Sequence, residues 1–128
     1  MRFLLDTHTL LWASFDEDAL SPKARQVIRT PGSEMIVSAA TAWEIATKFR
    51  LGKLNFAQEL VEDFIPLVTA AGYTLLPVSA EHALRAGRLP GEHKDPFDRM
   101  LAAQAIHEDL TLLSNDAVLD PFGVRREW

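Results

Sequence analysis

RFLLDTHTLLWASF, residues 2–15, decides the fold. Its first four residues, RFLL, are a short apolar run stopped by Asp6, which predicts a buried strand. HTLLWASF then predicts a helix. The same order recurs outward along the chain. Ser21-Pro22 reads as a helix start, a hydroxyl cap with proline in the first turn, for a helix KARQVIR ending at Pro31-Gly32. MIVS (35–38) predicts a second buried strand, and ATAWEIATKFRL (40–51) a helix closed by Gly52. A longer helical pattern runs from Phe56 to Ala71, bent at Pro66 and stopped at Gly72. YTLLPV (73–78) is a third strand, followed by AEHALRA, a short helix capped by Ser79 and ended by Gly87. LPGEHK is a loop. DPFDRMLAAQAIHEDL is a helix with Asp95 at the cap and Pro96 in first position. TLLS (111–114) and VRREW (124–128) complete the set as a fourth and a fifth strand, the last at an edge.

Short apolar strands alternating with helices argue for an α/β three-layer sandwich, with a central, mostly parallel sheet of four or five strands. At 128 residues the chain fits one domain, residues 1–128. Hydrophobic residues at 48% exclude a disordered chain, and the absence of cysteine excludes thiolate chemistry and disulfides. No apolar run approaches a membrane span, and Asp6 and His8 break the N-terminal run where a signal peptide would need it unbroken. A cytoplasmic, membrane-free protein is the expectation. The net charge of −5, 18 acids against 13 bases, excludes a nucleic-acid binder that works by bulk electrostatics. Contact with RNA or DNA would need a local basic patch or bridging metal ions.

In parallel sheets functional groups collect beyond the carboxyl ends of the strands. Four acids fall there. Asp6 follows the first strand directly, and Asp116 lies two residues behind the fourth. Asp98 is in the first turn of the helix feeding that strand, and Glu44 is one turn into the helix after the second. Each has a plainer use: Asp6 as a helix cap, Glu44 as an i,i+4 partner of Lys48, Asp95 and Asp98 as helix-start residues, and Asp116 as a turn residue. Their joint placement argues for more. Converging carboxylates without thiolates or a histidine pair make an all-oxygen site suited to Mg²⁺ or Mn²⁺, one or two ions. The matching chemistry is phosphodiester hydrolysis by metal-activated water.

LLDTHTLLW, SAATAWEIATK, HKDPFDRMLAAQA and LLSND together resemble the PIN domain in its VapC-like toxin branch, over Arg2 to Trp128. The resemblance implies a metal-dependent endoribonuclease, the toxin of a toxin–antitoxin pair, with an antitoxin partner and a homodimer. The family's acids match Asp6, Glu44, Asp98 and Asp116 as metal-binding and catalytic residues, and its hydroxyl before the last acid matches Ser114. Asp98 takes the metal role because it directly precedes the RMLAAQA helix body, which leaves Asp95 as a cap or outer-shell group. Lys48, Arg50, Lys94 and Arg99 are candidate RNA contacts, and His8 and His93 candidate phosphate contacts. Trp12 and Trp43 flank the acids but read first as core residues.

Two alternatives compete. A receiver-like phosphoacceptor domain needs an acidic pair after the first strand, an aspartate ending a central strand and a lysine ending a later one. Here Thr7 follows Asp6, MIVS ends in serine, and no strand ends in lysine. A non-catalytic binding module on the same fold is disfavoured by the presence of all four acids.

Overall fold

Strands send alternate side chains to opposite faces of a sheet, and the apolar runs of this chain use both faces. The computed structural model describes residues 1–128. It contains five strands: β1 (Arg2–Leu5), β2 (Glu34–Ser38), β3 (Thr74–Leu76), β4 (Thr111–Leu113) and β5 (Arg125–Glu127). In β1, Phe3 and Leu5 enter one core and Leu4 the other. β2 repeats the division with Met35 and Val37 against Ile36, and β4 with Leu113 against Leu112.

The strand order is β3-β2-β1-β4-β5 and every pairing is parallel. Leu4, at the centre, lies opposite Ile36 on one side and Leu112 on the other. The first core is covered by α1 (Thr7–Phe15), α2 (Pro22–Arg29), α3 (Ala39–Arg50), α4 (Gln58–Glu62) and α5 (Phe64–Ala70). These contribute Leu10, Ala24, Ile45, Leu60 and Val68, one buried side chain or more from each helix. The second core is covered by α7 (Pro96–His107), through Leu101, Ala102 and Ala105, with α6 (Ala80–Arg88) packed against α7. The α/β sandwich expected from the sequence is the fold observed, with five strands. No helix is long and apolar enough to cross a membrane.

Two local expectations are corrected, and one element is added. The stretch 56–71 is not one helix bent at Pro66; a 3₁₀ turn (Asn55–Ala57) and two short helices share it, and the break falls at Asp63. Proline has no N–H to give, so a helix restarting at Phe64 keeps Pro66 in the first turn, where N–H groups lack helical partners anyway. Gly87 does not end α6, which continues to Arg88. The Arg99 side chain donates to the carbonyls of Ala86 and Leu89, so the last turn is held from outside in spite of the glycine. Finally, Ala117–Phe122 forms a 3₁₀ turn that seals the second core with Leu119 and Phe122. Its sequence, AVLDPF, is apolar but for Asp120 and too short to show a helical period.

Candidate active site

The chain winds from β1 to β2 and β3, then returns to place β4 on the other side of β1. The crevice of such a sheet lies beyond the carboxyl ends of the strands where the winding reverses, here β1 and β4. Asp6 and Ser114 stand there, each directly behind its strand. Asp6 caps α1: its Oδ1 accepts from the Thr9 N–H at 2.8 Å, and its own N–H donates to Leu113 O at 3.2 Å. Its Oδ2 accepts from the Ser114 hydroxyl. Ser114 Oγ in turn accepts from the Asp116 N–H at 3.0 Å, so one buried hydroxyl joins Asp6 to Asp116. Asp116 caps the following turn through Val118 N–H at 3.1 Å.

Asp6 is only 7% exposed, and no lysine, arginine or histidine pairs with it. A buried charge is costly unless something compensates it. Neutral donors satisfy its oxygens here but leave its charge unbalanced.

Glu44 is buried too, at 4% exposure, on the inward side of α3. Thr7 Oγ1 donates to its Oε1 at 2.5 Å, and Lys48 Nζ pairs with its Oε2. The i,i+4 pair anticipated from sequence is therefore present, with a hydroxyl from the residue after Asp6 added to it. Asp98 lies in the first turn of α7, whose N-terminus faces the same edge of the sheet because the helix runs back before β4. Asp95 caps that helix through the N–H groups of Phe97 and Asp98 at 2.9 and 3.2 Å. Beside the acids, the rings of Trp43 and Phe97 meet edge to face at 4.7 Å and hold α3 against α7. Trp43 is otherwise 61% exposed and not a core residue.

Burial raises the Asp98 carboxyl above the usual carboxylate range; nearby Asp95 and Glu44 push the same way, and the His93 hydrogen bond opposes them. Negative charge is therefore crowded at this edge. As the side chains lie, however, no three histidine or acidic groups approach closely enough to enclose an ion. The four acids share this edge of the sheet without meeting at one point. Ser114 joins Asp6 to Asp116, and Glu44 and Asp98 interact electrostatically across α3 and α7. Each carboxylate has its own local donors, which fixes it near the edge but not on a common point. The donor set itself, carboxylates with serine and threonine hydroxyls, is hard oxygen throughout and fits Mg²⁺ or Mn²⁺.

Of the basic candidates, Lys94 and Arg50 are exposed, while Lys48 is engaged by Glu44. Arg99 directs Nε, Nη1 and Nη2 to the carbonyls of Ala86, His93 and Leu89 and lies over the Phe122 ring at 5.4 Å. It ties a loop down. A groove of about 840 Å³ runs beside it, lined in part by His93 and Lys94. His8 is exposed with its ring 5.6 Å from Trp12. Two residues escaped the sequence reading. Thr7 could have been found as the hydroxyl beside Asp6. Arg126, bidentate to Asp120 and donating to Ser114 O at 3.1 Å, had no local signal.

The Ser114 hydroxyl serves two backbone-anchored groups at once. Ser114→Ala is expected to lower unfolding free energy by about 1–3 kcal/mol, the cost of leaving buried partners unsatisfied. Urea denaturation in EDTA measures it; a loss under about 0.5 kcal/mol would show the bridge to be dispensable.

Residues 3–123 match the PIN domain family, and the chain belongs to it. Its fold is similar to that of VapBC2 from Rickettsia felis bound to a DNA fragment from their promoter, at 17% identity and TM-score 0.73, over 99% of this chain and 98% of that one. It is also similar to VapBC-1 from nontypeable Haemophilus influenzae, at 19% identity and TM-score 0.70, over 99% and 97%. FitAcB from Neisseria gonorrhoeae follows at 20% identity and TM-score 0.62, over 97% and 95%. No curated protein matches the sequence significantly.

Proposed function

We propose that residues 1–128 form one nuclease domain, an endoribonuclease dependent on Mg²⁺ or Mn²⁺ and the toxin of a toxin–antitoxin pair. The observation that carries the reading is Asp6, a buried carboxylate without a cation at the carboxyl end of the central strand. Membership of the PIN family and the likeness to VapBC assemblies support it. Asp6, Asp98, Asp116 and Glu44 are the residues that would hold one or two ions. A bound divalent ion supplies a water of lowered pKa and neutralises the phosphate charge. Ser114 fixes the carboxylate of Asp6 and the turn of Asp116 together. Thr7 and Lys48 orient Glu44 toward the same edge. Water is the nucleophile, so no side chain has to form a covalent intermediate. Asp95 keeps the first turn of α7 in place. Lys94, beside the groove, and Arg50, at the end of α3, are the exposed cations left to meet the RNA backbone. An antitoxin that covers the acids, a homodimer and a cytoplasmic RNA target complete the proposal.

Cleavage assays on a panel of tRNA and rRNA substrates test it. Cleavage is expected with Mg²⁺ or Mn²⁺ and none in excess EDTA, restored on adding the metal back. Full activity in EDTA would overturn the metal mechanism. Metal uptake without cleavage of any RNA would favour a binding module on this fold.

A further inference from the structure

HKDPFDR (93–99) is the most densely used segment of the site, and the role of its first residue is still open. Asp95 caps α7, Phe97 meets Trp43, and Arg99 holds three carbonyls. His93 lies outside the helix, yet its Nε2 sits 2.8 Å from Asp98 Oδ2. A carboxylate only accepts, so Nε2 carries the proton and donates. Asp98 Oδ1 has no hydrogen-bond partner within the chain, and neither does His93 Nδ1.

The position of His93 is built, not incidental. Its carbonyl accepts from Arg99 Nη1 at 2.9 Å, its ring lies 6.0 Å from that of Phe122, and its side chain is 27% exposed. Arg99 lies over the same Phe122 ring, so one aromatic supports both. The guanidinium next to Asp98 in sequence therefore fixes the loop that brings the imidazole to Asp98.

Resting on the nuclease reading above, we propose that His93 is a positioning residue for Asp98, holding Oδ2 by its Nε2–H so that Oδ1 is the oxygen presented to a divalent ion. Without it the carboxylate rotates freely and must be ordered when the ion binds. Partners that orient a ligating carboxylate commonly contribute about 10–100-fold in metal affinity.

Titration of the purified protein with Mn²⁺, followed by the electron paramagnetic resonance of the free ion, tests this directly. His93→Ala is expected to bind Mn²⁺ about 10-fold or more weakly than wild type, with an unchanged melting temperature in EDTA. His93→Gln, whose amide N–H can also donate to Oδ2, is expected to recover most of the affinity. Equal Mn²⁺ affinity of His93→Ala and wild type would overturn the proposal and leave the nuclease reading intact. So would a loss of affinity that tracks a lower melting temperature in EDTA and is not rescued by glutamine. A wild-type protein that binds no Mn²⁺ would overturn both.

Discussion

Asp6→Asn is expected to lose about 10³-fold or more in cleavage rate while melting, in EDTA, at or above the wild-type temperature. The two halves of this result have separate causes. Metal-assisted stabilisation of transition-state charge is worth several kcal/mol, and each 1.36 kcal/mol is tenfold in rate, so removing a buried candidate ligand that no cation offsets costs about three decades. Stability responds differently. Asparagine caps a helix as well as aspartate does, and its Oδ1 can keep the bond from Thr9 N–H. Its amide nitrogen then faces Ser114 Oγ, whose hydroxyl can turn to accept. What disappears is a buried charge with no counter-ion. Single-turnover cleavage and thermal melts measure the pair of effects. Retained cleavage would remove Asp6 from the mechanism; a large drop in melting temperature would mean that its charge supports the fold.

Asp98→Asn is expected to abolish cleavage as well, and here the stability effect depends on pH in a direction the structure fixes. Burial, Asp95 and Glu44 raise the Asp98 carboxyl, so the folded protein holds that proton more tightly than the unfolded chain. The ionised form therefore opposes folding above the folded value, and this penalty is absent below the ordinary carboxylate range. Against it stands the attraction of a first-turn carboxylate to the helix dipole, about 0.3–1 kcal/mol. The direction of the shift means that burial and the neighbouring acids outweigh the His93 interactions that favour the ionised form. In EDTA near neutral pH, Asp98→Asn should match or exceed the wild-type melting temperature. Below the ordinary carboxylate range the variant's advantage should vanish, because wild type is then protonated too. Addition of Mn²⁺ should stabilise wild type more than the variant. A lower melting temperature for the variant at neutral pH, with cleavage intact, would return Asp98 to a helix-start role alone.

The parallel sheet was legible because its three central strands are buried on both faces and so appear as apolar runs. RFLL, MIVS and TLLS need no partner to be recognised. What escaped notice depends on distant groups. A glycine at 87 looks like a stop until the Arg99 guanidinium, from the next helix, takes the carbonyls around it. Pro66 looks like the bend until the chain is seen to restart at Phe64. At the site, the plain uses of the acids were legible: Asp6, Asp95 and Asp116 all cap, and Glu44 does pair with Lys48. Capping is also what sets those aspartates at the carboxyl edge, so helix-start duty and a place in the site are not alternatives. The links between the acids were not legible. Ser114 to Asp6 spans 108 positions in the chain and Thr7 to Glu44 spans 37, and no local pattern encodes either.

The strand order also sets a sequence of events. β1 is synthesised first, yet one of its two neighbours is β4, which begins only at Thr111. Until then one edge of the sheet's central strand has free N–H and C=O groups, a surface on which nascent chains can pair wrongly. Asp6 waits with it, since both the Leu113 carbonyl that anchors its backbone and the Ser114 hydroxyl on its carboxylate arrive with that same strand. Chain growth itself thus acts as a timer: a translating ribosome holding only the first hundred residues carries a half-sheet with no finished crevice.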